Sequence, residues 1–337
     1  MAIEIIGCRE RSRKRQRDSM TSQGEFLNHF FKTQNAKFQK CLDPMLTCTE
    51  KPINAHSIQN ARVLDLLERR GHVVMLRHKI LASVPDIRFE EVGRNQASTF
   101  TGFCAEHDSS IFRSLDTQPF DPKNQEHLFL LAYRSVTREL HAVMEGAWKI
   151  QGSYSWRVGK GLDPSNVPSP AGIEATAHLI KSYETWEYRH HHFDLALVRK
   201  NWKAIRHNIF TLESQSPKIA VSALFSFDSV ARNDDVVRCA LNIFPVSNNQ
   251  TVVVFSFAKP DSQAARRNLR PILLSSGERQ KYELSKLIIG NVENFAIAPD
   301  WSDGWSDRKK KVIQDTFVST LFDSTRLEES KELMLFD

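Results

Sequence analysis

Three of the five cysteines stand at spacings that suit a metal ion. Cys41 and Cys48 enclose a six-residue loop containing Pro44, and Cys104 and His107 are three apart. Residues at i and i+3 can face one ion from a knuckle or from the first turn of a helix. Two such pairs supply the four soft or borderline donors of a tetrahedral zinc site. A low, odd cysteine count in 337 residues argues against a disulfide scaffold, and clustered Cys with His in a reducing compartment points to metal. Cys8 falls in a basic run. Cys239 lies inside the apolar run VVRCALNIF, where a small buried hydrophobe is expected.

Two further residues near these ligands have chemistry of their own. His56, neutral near pH 7, can take a proton from water, and Asp108 can hold a divalent ion such as Mg or Mn beside a phosphate. The competing reading of His56 is a residue that ties down the zinc loop, or a zinc ligand itself. His190-His191-His192 invites a metal reading, but adjacent helical residues point in different directions and chelate one ion poorly.

Residues 38–116 resemble an uncharacterised bacterial protein family with the arrangement Cys…Cys…(S/A)-H-x-I…F-C-x-x-H-D-x-x-(L/I)-F. They also resemble the treble-clef HNH endonuclease superfamily. Ala55-His56 looks like that family's A-H step, whose His is the general base. Phe103-Cys104-x-x-His107 looks like its second zinc pair, with His in place of the second Cys. Asp108 falls where the family places a catalytic-metal His or Asn, and Asn95 matches the middle Asn by position. The resemblance implies structural zinc, a nucleic-acid substrate and metal-dependent nuclease activity, in a role such as defence against mobile elements.

These residues must be held by elements that hydropathy patterning outlines. A short helix is predicted within Glu25–Phe38, an amphipathic helix over Ser57–Arg70 ended by Gly71, and strands at 72–76 and 87–92. A helix is predicted over 123–150, started by Asp121-Pro122, and a second helical region over about 173–207. Between them the Gly-, Ser- and Pro-rich stretch 151–172 reads as a linker. IAVSALFSF, VVRCALNIF and TVVVFSFA read as three strands, with Asn248-Asn249 as turn chemistry, and helices follow at about 261–274, 278–290 and 307–323 with Ser306 as the last N-cap. The expected fold is α+β: a flexible basic tail (1–24), a zinc-binding treble-clef-like module with helical extension (25–150), and a C-terminal α/β part with a small antiparallel sheet (173–337).

Charge and hydropathy narrow the function classes. Residues 9–17 hold six basic side chains and one acid, leaving 40 basic and 39 acidic residues in the rest of the chain. The sequence pI near 9.0 is therefore largely the property of one segment, which can grip phosphates nonspecifically. No stretch reaches the roughly 20 apolar residues of a membrane helix. The N-terminus lacks a signal-peptide pattern, so the expected compartment is the cytoplasm. No phosphate-binding glycine loop is present. Two functions remain: a zinc-dependent protein acting on or binding nucleic acid, or a noncatalytic zinc-stabilised module for protein–protein interaction. The near-neutral body leans toward the second.

Overall fold

Long runs of Val, Ile, Phe and Ala favour strands that are covered on both faces, and the chain builds its largest element that way. The structure, a computed structural model, describes residues 29, 32, 33, 35–81, 84–164, 166–227, 236–322 and 329–337. The basic tail and half of the residues of the expected 25–38 helix lie outside them.

The elements in chain order begin with β1 (Ile53–His56), β2 (His72–Leu81), β3 (Val84–Gly93), β4 (Thr99–Phe103) and α1 (Ala105–Thr117). The long helices α2 (Gln125–Gly159) and α3 (Pro170–Arg189) follow. Next come β5 (Ile205–Glu213), β6 (Ile219–Phe227), β7 (Val237–Ser247), β8 (Gln250–Ala258), α4 (Ser262–Asn268), α5 (Gly277–Asn291), β9 (Phe295–Ile297) and α6 (Asp307–Phe322). No described helix is long and apolar enough to cross a membrane.

Seven strands form one sheet in the order β3-β2-β9-β6-β7-β8-β5, and each neighbouring pair is antiparallel. The expected small sheet of the C-terminal part is thus a larger one that recruits the 72–93 hairpin. The stitch is β9, three residues long, which pairs Ala296 with Met75 on one side and with Ala220 on the other. Alternation of side chains sends Val73, Met75, Ala240 and Val254 to a core with Phe103, Phe112 and the α2 residues Leu128–Val136. The opposite face sends Val74, Leu241, Val253 and Phe255 to a second core with Leu284, Ile288, Ile313 and Leu333. Burial on both faces explains why these antiparallel strands read as nearly continuous apolar runs.

The described residues divide into two compact units, one drawn from 39–141 and 186–337, the other from 29–38 and 142–185. In the second, Gln151 donates to the Ala175 carbonyl at 2.9 Å and the Phe38 ring lies 6.3 Å from that of Trp148.

Several expected elements change form. The helix over Ser57–Arg70 shrinks to a π turn (Asn60–Leu64) and one α turn (Asp65–Leu67). Its first residues are spent elsewhere: the Ser57 N–H and hydroxyl both donate to the Ser98 carbonyl. Most of the expected linker is helix, since α2 runs to Gly159 and α3 starts at Pro170. The expected 173–207 helix ends early, and β5 takes over at Ile205. That edge strand mixes apolar and polar residues, so its period-2 signal is weak. The strands at 219–227, 237–247 and 250–258 form as expected, and the Ser306 hydroxyl accepts from the Lys309 N–H as an N-cap should. Cys239 is fully buried.

Candidate metal centre and adjoining cleft

β1 and β4 pair antiparallel, with Ile53 opposite Phe103 and His56 opposite Thr99. This ladder carries the ligands. Just beyond β4, Cys104 has extended backbone and caps α1: its Sγ accepts from the His107 N–H at 3.5 Å. The first helical turn then aims His107 back at Cys104, with Sγ and Nδ1 3.2 Å apart. The 41–48 loop docks on the same ladder through the Leu42 N–H, which donates to the Gly102 carbonyl at 2.7 Å.

Asp43 shapes that loop. One carboxylate oxygen accepts from the Cys48 N–H at 2.9 Å and the other from the Thr47 N–H at 3.3 Å. Burial acts to raise the Asp43 pKa, but these N–H groups and the nearby His107 charge outweigh it and hold the carboxyl below its usual range. Leu46 takes a positive φ of 54° to close the turn. The fully buried Arg189 braces the loop from outside, donating to the carbonyls of Leu42 at 3.0 Å and Asp43 at 3.3 Å. Its charge is matched by Asp194 at 3.2 Å, whose carboxylate also accepts from the Tyr133 hydroxyl at 2.9 Å.

The four expected ligands therefore converge. The ligand atoms of Cys41, Cys48, Cys104 and His107 all lie within 4.8 Å of one another. Cys41 Sγ is 3.6 Å from His107 Nδ1, and Cys48 Sγ is 3.9 Å from Cys104 Sγ. A tetrahedral zinc with Zn–S near ~2.3 Å and Zn–N near ~2.05 Å has edges of about 3.8 Å between sulfurs and about 3.6 Å between sulfur and nitrogen. The donor set and these two edges fit that ion. The Cys104 N–H points at Cys41 Sγ at 3.3 Å, the kind of outer contact that tempers thiolate charge. With no cation counted, burial pushes the Cys41 thiol up to about 12, whereas the N–H and ring of His107 overcome burial and lower Cys104. Buried thiols of this kind become comfortable thiolates only beside a cation.

Next to α1 an open cleft of about 290 Å³ is lined by His56, Asp108, Asp116 and Arg134, among others. The two residues expected to do chemistry thus share one cleft, although 52 positions separate them in sequence. His56 Nε2 lies 3.2 Å from the Arg94 carbonyl. A carbonyl can only accept, so this nitrogen carries the proton and Nδ1 keeps its lone pair. Burial lowers the His56 pKa, with Arg134 adding to the effect; the Arg94 carbonyl and Asp108 oppose it. Burial raises the Asp108 pKa, helped by Asp116 and opposed by Arg134 and His56.

Asp116 and Arg134 were not legible as site residues. Arg134 grips Asp116 with both terminal nitrogens, at 3.0 and 2.6 Å, and lies 4.0 Å over the Phe112 ring. Helical period does place Asp108, Phe112 and Asp116 on one face of α1, whereas nothing local points to Arg134 on α2. Asn95 does not line the cleft itself but accepts from the amide of Asn60, which does, at 2.8 Å. The His190–His192 run gathers no ion site: His190 stacks on Trp186 and His191 faces Glu187. Among the described residues, the Cys/His group is the one set of three or more such ligands within reach of a single ion. No family model, no curated protein and no solved structure matches the chain.

Proposed function

We propose that the chain is a zinc-stabilised protein of the treble-clef type whose cleft cuts phosphodiester bonds in nucleic acid, as HNH endonucleases do. The knuckle at 41–48, the β1/β4 pair and α1 with its Cys104/His107 pair follow the order of that fold, with residues 57–98 inserted between the strands. The observation that carries the nuclease reading is the placement of His56 and Asp108 in one cleft, with His56 held by the Arg94 carbonyl.

His56 would take the proton of an attacking water at Nδ1. Its lowered pKa keeps it neutral, and therefore a base, at neutral pH. Asp108 would hold a Mg or Mn ion, which when bound supplies neutralisation of the scissile phosphate. Such ions commonly take one or two carboxylates and complete their shell from substrate and water. His107 and Asp108 are adjacent on α1, so the zinc centre fixes where Asp108 stands.

A second reading, the noncatalytic zinc module, is favoured by the state of the cleft's arginines. Both terminal nitrogens of Arg134 are spent on Asp116, and those of Arg62 on the carbonyls of Thr117 and Gln118. The exposed Ile173, Ile180 and Tyr183 of α3 suit a protein partner.

The deciding experiment is cleavage of plasmid, linear and single-stranded DNA and of RNA, with Mg or Mn added. The wild type is expected to cut at least one substrate. His56→Ala and Asp108→Ala are each expected to lose roughly 100-fold or more in rate while retaining zinc. Binding without cutting, unchanged in His56→Ala, transfers the assignment to the noncatalytic module. Cutting that survives His56→Ala refutes the assignment of the base.

A further inference from the structure

A polar seam crosses the largely apolar layer between α2 and the sheet. Ser135 of α2, Ser222 of β6 and Asn242 of β7 are all buried there. The Ser135 hydroxyl lies 2.9 Å from that of Ser222 and 3.0 Å from Asn242 Oδ1. Asn294, just before β9, donates to both the Ser222 carbonyl at 2.7 Å and the Ser57 hydroxyl at 2.9 Å. The seam thus ties the sheet to the turn that follows His56.

One group in it has no protein partner. Asn242 Nδ2 is buried without a hydrogen bond, in a side chain only 2% exposed. Exchanging the amide's nitrogen and oxygen does not help, because Ser135 then satisfies the nitrogen and strands the oxygen. A buried amide left in that state carries a desolvation penalty with nothing to offset it. Beside it is a small chamber of about 20 Å³, walled by Asn242, Ser222, Ser57 and Gln59 and by apolar side chains including Leu131 and Phe244. One water needs about 10–15 Å³ and two to four polar partners. The space is enough for a water molecule.

We propose that this chamber is a binding site for a single structural water, held by the Asn242 amide and the neighbouring hydroxyls. The water completes a polar relay from β6 and β7 to the Ser57–Gln59 turn. Gln59 also lines the cleft and donates to Asp116 at 2.8 Å, so the relay reaches the back of the cleft wall. This inference is independent of what the cleft binds or cuts.

The test is a crystal structure of the full chain at a resolution where ordered waters are visible. One water within hydrogen-bond distance of the Asn242 amide is expected. Either a dry chamber or an amide partnered by a protein atom overturns the proposal. In solution, magnetic relaxation dispersion should show one fewer long-lived water in Asn242→Leu than in the wild type. An unchanged count in a folded Asn242→Leu overturns it too, and if that variant does not fold, the wild-type density decides alone.

Discussion

Arg189 is a fully buried cation at the back of the metal loop, and its partners make its removal costly. Arg189→Met would strand the Asp194 carboxylate, whose pKa burial already raises against the opposing pull of Arg189. Breaking such a pair costs about 3–5 kcal/mol. The same change frees the carbonyls of Leu42 and Asp43, so zinc affinity should fall with stability. Urea unfolding and zinc competition titration check both, and Arg189→Met with Asp194→Asn should recover part of the loss. At the ligands themselves, elemental analysis should find about one zinc per chain. Cys104→Ala or His107→Ala should lower zinc content and stability together, because structural zinc affinity is folding free energy. For His56 the sign is set by its lowered pKa: the neutral base persists below pH 6.5. Any cleavage rate should therefore fall on the acid side with a midpoint under 6.5, and a midpoint above it would contradict the assigned base.

At the scale of elements, β5 holds a second histidine with a clear consequence. His207 meets the Ser256 hydroxyl at 2.8 Å, and its other ring nitrogen is buried without a partner. Burial, with Arg206 adding, lowers its pKa from 6.5 to about 4. The folded protein thus keeps His207 neutral where the unfolded chain protonates it. That contribution is fully present above pH 6.5 and is lost as pH falls toward 4, amounting to at most about 3 kcal/mol. Urea midpoints measured between pH 7 and pH 4.5 should decline, and His207→Gln should flatten part of the slope. The segment 333–337 acts as a clip: Leu333, Leu335 and Phe336 are buried, and the Trp301 indole donates to the Leu335 carbonyl at 2.9 Å. Deleting residues 333–337 exposes a core face and should cost about 4 kcal/mol or more, read by thermal unfolding.

Across the whole molecule, the three residues of β9 join the hairpin β2–β3 to the remaining four strands of the sheet. Ala296 is fully buried between Met75 and Ala220. Ala296→Pro removes a ladder donor in a central strand and strands a carbonyl, at a cost of at least about 2 kcal/mol. Hydrogen exchange should then show β2 and β3 opening at lower free energy than β6–β8. Equal protection of both groups would mean that the cores on the two faces, rather than β9, hold the hairpin in place.

Local chemistry made part of this protein legible from its residues alone. Ligand type and spacing marked Cys41, Cys48, Cys104 and His107, because a tetrahedral site needs a few soft donors on short loops. Period and end signals marked α2, α5, α6 and the strands β6–β8, because each buries a regular face. The rest depended on contacts far apart in the chain. Ser57 abandons its expected helix for Ser98, 41 positions away. β2 and β3 leave the metal module for a sheet whose other strands lie beyond residue 200, since their apolar faces are covered only there. Arg189 reaches the metal loop from 147 positions away, and Arg134 reaches Asp116 across two helices. Hydropathy and spacing report which surfaces must be buried and which donors are available. Which surface covers which, and which charge meets which, is settled only when the packed layers close.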